Sequence, residues 1–322
     1  MEKGHDTRVS RRRFLTAAGA TAAVVGAPGA LASAAAAHGG KHHHGHHGHH
    51  GHHRDRIPRD RISIQLFTLR DQLAIDFEGT LEALSDIGYR RVEHAGFVGR
   101  TAAQFKAALD AVGIRATSGH VLIPQPFNEA GWNASLQDAL TLRSKFIVHP
   151  FFGINFGTGA VTRDSATWAA FAHDLNRAGR MARRVGLKLG YHNHNWEFFR
   201  LTDDPSMTAF DVLIEETDPR YVHFELDLFW SWRGARDPVD ILDRIDGRVL
   251  QYHVKDLNQA GSFADLGDGL IDFVRIFQAQ PVEEYIVERD DAGTPPRTPA
   301  DALTTAEVGF DYLADLSLRR RR

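Results

Sequence analysis

The sequence predicts an α/β protein built as a single (β/α)8 TIM barrel. Three observations carry that prediction. From Arg61 onward, short runs rich in β-branched and aromatic residues alternate with amphipathic helical stretches. Eight such runs occur, which is the number that closes a parallel sheet. No glycine-rich phosphate loop follows the first run, which disfavours an open doubly wound sheet. A chain of 322 residues fits one such barrel.

The expected strands are Ile62–Thr68, Arg91–Ala95, Arg115–His120, Phe146–Pro150, Leu187–His194, Val222–Leu228, Val249–Lys255 and Glu284–Arg289. Helical patterns between them cover Phe77–Ile87, Ala102–Val112, Ser165–Val185, Met207–Glu216, Val239–Ile245 and Thr298–Leu313. Cap-type residues open two of these, Asp164-Ser165 and Asp204-Pro205-Ser206.

Four segments follow. Residues 1–37 read as a targeting segment. Ser10-Arg11-Arg12-Arg13-Phe14-Leu15 precedes a weakly apolar Ala/Gly/Val run, which resembles a twin-arginine export signal. That predicts export to the periplasm or beyond. Gly and Pro28 interrupt the run, so no stable membrane anchor is expected. Residues 38–60 form a His/Gly-rich linker whose imidazoles bind metals without fixed geometry. Residues 61–318 are the barrel, and 319–322 a basic tail.

A net charge of −3 provides no basic field for a phosphate backbone, which argues against nucleic acid. The chain has no cysteine, so an exported form takes its stability from the core alone.

Side-chain parity then locates the chemistry. In a barrel of this kind, reactive groups project from the C-terminal ends of the strands. In Val222–Leu228, Phe224, Leu226 and Leu228 face the helices, leaving His223, Glu225 and Asp227 inside. The same alternation places Gln251, His253 and Lys255 inward, as well as His192 and His194, and puts Glu288 near the rim. Burying two carboxylates and two imidazoles together is costly unless a cation compensates them. His192, Asp227, His253 and Glu288 stand about one βα unit apart, so consecutive strand ends each offer one ligand at a single mouth. The set suits one divalent ion, with Mn, Co, Zn, Fe and Mg all open. A salt-bridged polar layer without metal is the competing arrangement.

Several of these stretches resemble one family. They are Leu187–Phe198, Phe224–Trp230, His253–Leu257, Leu266–Phe273, Tyr285–Asp290 and the opening Ile64–Asp71, and they are similar to the sugar phosphate isomerase/epimerase family of xylose isomerase-like barrels. The resemblance implies one divalent ion held from strands five to eight in the order acid, Asp, His, Glu. Asp227, His253 and Glu288 match the last three places, and His192 stands where many relatives have Glu. Either Glu197 takes over as acid/base or His194 is the actual ligand.

Glu288, Lys255 and Glu197 are the expected proton-transfer groups, with pairing to Asp256 as the alternative for Lys255. Glu93, His120, His149, His194 and Trp230 are expected to touch substrate; for Glu93 a rim salt bridge is the competing role, and for Trp230 it is packing. The expected activity is metal-dependent isomerisation or epimerisation of a sugar or keto-sugar through an enolate. The alternatives are a lyase or dehydratase of keto-glycosides, or a non-catalytic sugar- or metal-binding barrel. The expected partner is a small-molecule sugar, with homo-oligomerisation left open.

Overall fold

The computed structural model describes residues 55–319 apart from Asp246. The export segment and nearly all of the His-rich linker lie outside the described residues, as does the tail beyond Arg319.

Eight parallel strands form the sheet: β1 Ile62–Gln65, β2 Arg91–His94, β3 Arg115–Gly119, β4 Phe146–His149, β5 Lys188–His192, β6 Val222–Asp227, β7 Val249–Val254 and β8 Glu284–Val287. They are ordered β3-β2-β1-β8-β7-β6-β5-β4. The seam between β3 and β4 is closed by Lys145 N donating to Thr117 O and Val121 N donating to Val148 O, both at 2.8 Å. The result is a barrel ringed by helices.

The strands start within one residue of expectation but stop one to three residues sooner. The chain leaves extended geometry at the C-terminal ends of the strands. After β1, the Gln65 side chain accepts from Phe67 N and starts a 3-10 turn over Leu66–Leu69. After β6, Asp227 caps a helix.

The helices are α1 Arg70–Ile75, α2 Phe77–Ile87, α3 Ala102–Ala111, α4 Glu129–Leu142, α5 Ser165–Arg184, α6 Ala209–Glu216, α7 Leu228–Arg233, α8 Pro238–Arg244, α9 Phe273–Ala279 and α10 Asp301–Asp315. Asp164 caps α5 through Thr167 N at 2.8 Å, as its sequence indicates. The start expected at Asp204-Pro205-Ser206 is displaced. Asp204 Oδ1 instead accepts from Ser206 N in a local turn, and a Thr208/Asp211 capping box opens α6. Helix α4 was not expected. Its buried stripe is only Trp132, Leu136, Ala139 and Leu142, diluted by small and polar residues.

Outward strand residues such as Tyr191, Phe224, Leu226 and Tyr252 pack under the helices with Trp132, Trp168 and Phe171 to form the core. The barrel interior is polar by contrast. His223 reaches Gln251 Oε1 at 3.1 Å, and Gly190 on β5 leaves the space, because a Cβ there would lie 2.6 Å from His223 Nε2.

Residues Ile154–Val161 form a small unit of their own, in which Ile154–Asn155 pairs antiparallel with Ala160–Val161. No helix among the described residues is long and apolar enough to cross a membrane.

Candidate metal centre at the barrel mouth

The C-terminal mouth carries two overlapping groups of ligand-type side chains. The outer group is His192, Asp227, His253 and Glu288, with one ligand atom from each lying within 4.8 Å of the others. The inner group is His120, His192, Glu225 and His253, equally close. All of these are buried except the partly exposed His120.

Strand register builds the outer group. Asp227 and His253 are partners across β6 and β7, and His253 is a partner of Ile286, two residues before Glu288. Asp227 ends its strand with its two oxygens facing different tasks. Oδ1 accepts from Trp230 N at 2.7 Å and caps α7, while Oδ2 faces the Lys255 ammonium at 3.0 Å and His192 Nε2 at 3.7 Å. Asn193 fixes the backbone here, its Oδ1 accepting from Asp227 N at 3.0 Å. His253 Nδ1 lies 2.7 Å from Glu288 Oε2.

Lys255 lies between the acids, with Nζ 2.5 Å from Glu288 Oε2 and 2.8 Å from Asp290 Oδ1. The alternative pairing with Asp256 is not what forms. Asp256 instead accepts from the backbone N–H groups of Leu257, Gly267, Gly269 and Ile271, pinning the loop after β7.

Electrostatics follow from burial. Burial pushes the Asp227 carboxyl up to about 6, against the pull of Lys255 and His253. For Glu288, burial also favours the neutral form, but Lys255 and His253 outweigh it and hold the carboxyl far below the usual range. His253 is buried too, yet Glu225, Glu288 and Glu93 raise it well above an ordinary imidazole. Burial, reinforced by His253 and His194, holds His192 neutral, which is the form that donates a lone pair.

The outer residues fit a divalent ion. Two carboxylates and two imidazoles make a mixed oxygen–nitrogen donor set, and the buried Asp227 Oδ2 accepts no well-formed hydrogen bond.

The remaining expected site residues separate into two sets. His120 reaches the cluster, its Nε2 lying 2.9 Å from Glu225 and 3.1 Å from Glu93. Its partial burial favours the neutral ring, but Glu93 and Glu225 outweigh it and lift His120 to about 9. Glu93 is not at the rim. It is fully buried, with Oε2 accepting from Ser118 at 2.5 Å and Oε1 from Gln65 at 2.7 Å.

Of the two strand-five candidates, His192 joins the outer group. His194 stands one step out, stacked on Trp196 at 4.2 Å and 5.3 Å from Trp230. Trp230 lies half-buried at the mouth with Lys255 Nζ 5.8 Å from its ring centre.

His149 and Glu197 stand outside both ligand groups. His149 Nδ1 accepts from Ile123 N at 3.0 Å, and the ring packs on Phe171 and Tyr191. Glu197 accepts from Tyr191 Oη at 2.7 Å and from His194 N at 2.9 Å, and burial raises it to about 8. It therefore braces the end of β5 and the turn that carries His194.

Sequence reasoning did not single out Glu225, Asp290, Gln65, Ser118 or Asn193. Parity did place Glu225 inside, so its signal was present.

Fold and site together define a parallel barrel with a polar, cation-suited mouth. The sequence pattern of the xylose isomerase-like TIM barrel family matches residues 81–279, and the chain belongs to that family. It is 31% identical over 128 residues to an inosose dehydratase of Geobacillus kaustophilus, a match covering 34% of this chain and 40% of that protein. The similarity thus spans less than half of that relative's length. A solved sugar phosphate isomerase/epimerase from Parabacteroides distasonis superposes with a TM-score of 0.68 at 23% identity, covering 80% of this chain and 98% of that one. A D-psicose 3-epimerase gives 0.56 at 13% identity, covering 78% and 97%. At those identities the two structures attest the fold.

Proposed function

We propose that the protein is a divalent-metal-dependent enzyme that isomerises or epimerises a sugar or keto-sugar through an enolate. The observation that carries this reading is the outer group, four ligand-type atoms within 4.8 Å at the catalytic end of a xylose isomerase-like barrel. His192 Nε2, Asp227, His253 Nδ1 and Glu288 would hold the ion. A bound divalent cation supplies Lewis acidity to a carbonyl and its neighbouring hydroxyl.

The chain's own residues supply the rest. Lys255, placed among Asp227, Glu288 and Asp290, is the group positioned to move a proton at the substrate carbon or oxygen. Glu288 is the neighbouring carboxylate. Removing the proton next to the carbonyl leaves its electron pair in a new C=C bond as the carbonyl pair moves to oxygen. Returning a proton at the neighbouring carbon isomerises the substrate, and returning it on the opposite face epimerises it. Trp230 and His194 offer ring faces beside the site for a sugar.

A second reading is a lyase or dehydratase. In that case the electron pair expels a β-substituent, and an acid such as Lys255 protonates the departing oxygen. The partial similarity to inosose dehydratase supports it. The replacement of a strand-five acid by His192 supports it too, because two-sided proton transfer loses a carboxylate. The twin-arginine-like segment supports export, and with it an uncharged rather than phosphorylated substrate.

The test is solvent deuterium exchange. Metal-loaded protein in D2O is incubated with a panel of keto-sugars and polyol ketones and followed by NMR. Deuterium at the carbon beside the carbonyl, lost in Asp227→Asn, is the expected result. Exchange with retained oxygen substituents marks the isomerase or epimerase, and exchange with loss of water or an alcohol marks the lyase. No exchange across the panel with any of the five metals overturns both readings.

A further inference from the structure

Three imidazole nitrogens converge on one carboxylate oxygen. Glu225 Oε1 lies 2.9 Å from His120 Nε2, 3.1 Å from His192 Nδ1 and 2.9 Å from His253 Nε2. Glu225 is fully buried. Glu93 Oε1 adds a second acceptor, 2.7 Å from His253 Nε2, and the carboxylate is held by Gln65 at Oε1 and by Ser118 at Oε2.

The two groups share His192 and His253, but through opposite ring nitrogens. His192 turns Nδ1 to Glu225 and Nε2 toward Asp227, while His253 turns Nε2 to Glu225 and Nδ1 to Glu288. What lies among the side chains differs as well. In the inner group the shared partner is an anionic oxygen, approached by nitrogens at hydrogen-bond lengths. In the outer group the Lys255 ammonium lies between the carboxylates. The inner set is thus arranged around an acceptor, and the outer set around a cation.

We propose that Glu225 is a positioning residue that fixes the tautomer of His192 and, with Glu93, that of His253. Glu225 accepts from His192 Nδ1–H and stands beside His253 Nε2, whose N–H Glu93 accepts; this leaves His192 Nε2 as a lone pair for the ion, joined by His253 Nδ1 once an entering ion displaces its proton. A neutral imidazole has one donor nitrogen and one acceptor nitrogen, so the partner of one nitrogen decides what the other does. A carboxylate behind a ligating histidine orients the ring and raises its basicity. Here Glu225 does so for His192 and shares the His253 ring with Glu93, which accepts from Nε2. This inference rests on the metal reading above.

The experiment is Co2+ titration of the full chain, read by visible absorption, with Asp227→Asn/Glu288→Gln as the baseline that retains the His-rich linker. A wild-type spectrum identical to that baseline would sink the metal reading itself. A distinct wild-type spectrum supports that reading, and Glu225→Gln then tests the inference. The expected result is a loss of about 10–100-fold in Co2+ affinity with an altered spectrum. Glu225→Asp keeps the carboxylate and is expected to bind more tightly than Glu225→Gln. If Glu225→Gln fails to fold, Glu225→Asp and Glu93→Gln carry the test, each expected to weaken Co2+ binding relative to wild type. Wild-type affinity and spectrum in the neutral or shortened variants would overturn the positioning role. A second ion per chain above the baseline, removed by His120→Ala, would also overturn it, since the inner group would then be a cation site.

Discussion

The Lys255 ammonium stands 3.0 Å from Asp227 Oδ2, between that carboxylate and Glu288, with Asp290 as a third partner at 2.8 Å. Lys255 thus places a positive charge beside the outer group, with Asp290 as an anchor that is not one of the four ligand-type residues. Replacing Lys255 by Met in metal-depleted protein should leave the buried Asp227 and Glu288, and the half-buried Asp290, without their ammonium partner. A loss of about 3–5 kcal/mol is expected in denaturant unfolding. Added Mn2+ or Co2+ should then restore more stability to the variant than it adds to wild type.

The split duty of Asp227 distinguishes two variants that both lose the ion. Asp227→Ala removes the acceptor for Trp230 N as well as the ligand oxygen, whereas Asn can still cap α7. Asp227→Ala should unfold at lower temperature than Asp227→Asn, by a free-energy gap of about 0.5–2 kcal/mol. Calorimetry beside metal analysis checks this, and equal stabilities would deny the capping role.

A pH effect arises at the opposite end of the barrel. Burial raises Glu284 from 4.5 to about 7, although Thr117 donates to its Oε1 at 2.5 Å. The folded state therefore binds a proton that the unfolded chain releases at lower pH. That stabilising contribution is complete below 4.5 and is lost as pH rises through about 7. Its full size is on the order of 3 kcal/mol at about 1.36 kcal/mol per pKa unit. Urea unfolding of Glu284→Gln should depend less on pH between 5 and 8 than that of wild type. Parallel curves would rule Glu284 out.

Tyr191→Phe isolates the brace behind the fifth strand. Glu197 Oε1 loses its hydroxyl donor while remaining fully buried, so a cost of about 1–3 kcal/mol is expected. Local hydrogen exchange should accelerate over 192–198 before it does elsewhere, because His194 N is tied to the same carboxylate. Uniform acceleration would assign Tyr191 to the general core instead.

Much of this architecture was legible in the chain. Alternation along Val222–Asp227 and Val249–Val254 sets inward residues directly, because parallel strands have a fixed side-chain period. The same period delivered His192, Asp227 and His253. What it could not supply was depth. Glu93 and Glu225 both point inward, yet only the register between neighbouring strands places them beneath the ion-suited group rather than at the rim. Asp290 lies past the end of β8, where periodicity stops carrying information. The tie from Glu197 to Tyr191 Oη and His194 N runs between residues of opposite parity, so alternation along the strand does not announce it. For α4, weak patterning was overruled by packing, with Trp132 Nε1 donating to Ala178 O at 3.1 Å across two helices.

The four amides gathered by Asp256 bear on how this family member could diversify. Its loop is secured from beneath by one carboxylate, through Gly267, Gly269 and Ile271, while the residues between Asn258 and Ser262 are left out of that clasp. Added length at the tip leaves that foundation in place, provided Gly261, at positive φ and bonded through its carbonyl to Arg233, is kept. The part of the mouth best placed to acquire new selectivity is therefore the part whose rewriting disturbs the barrel least.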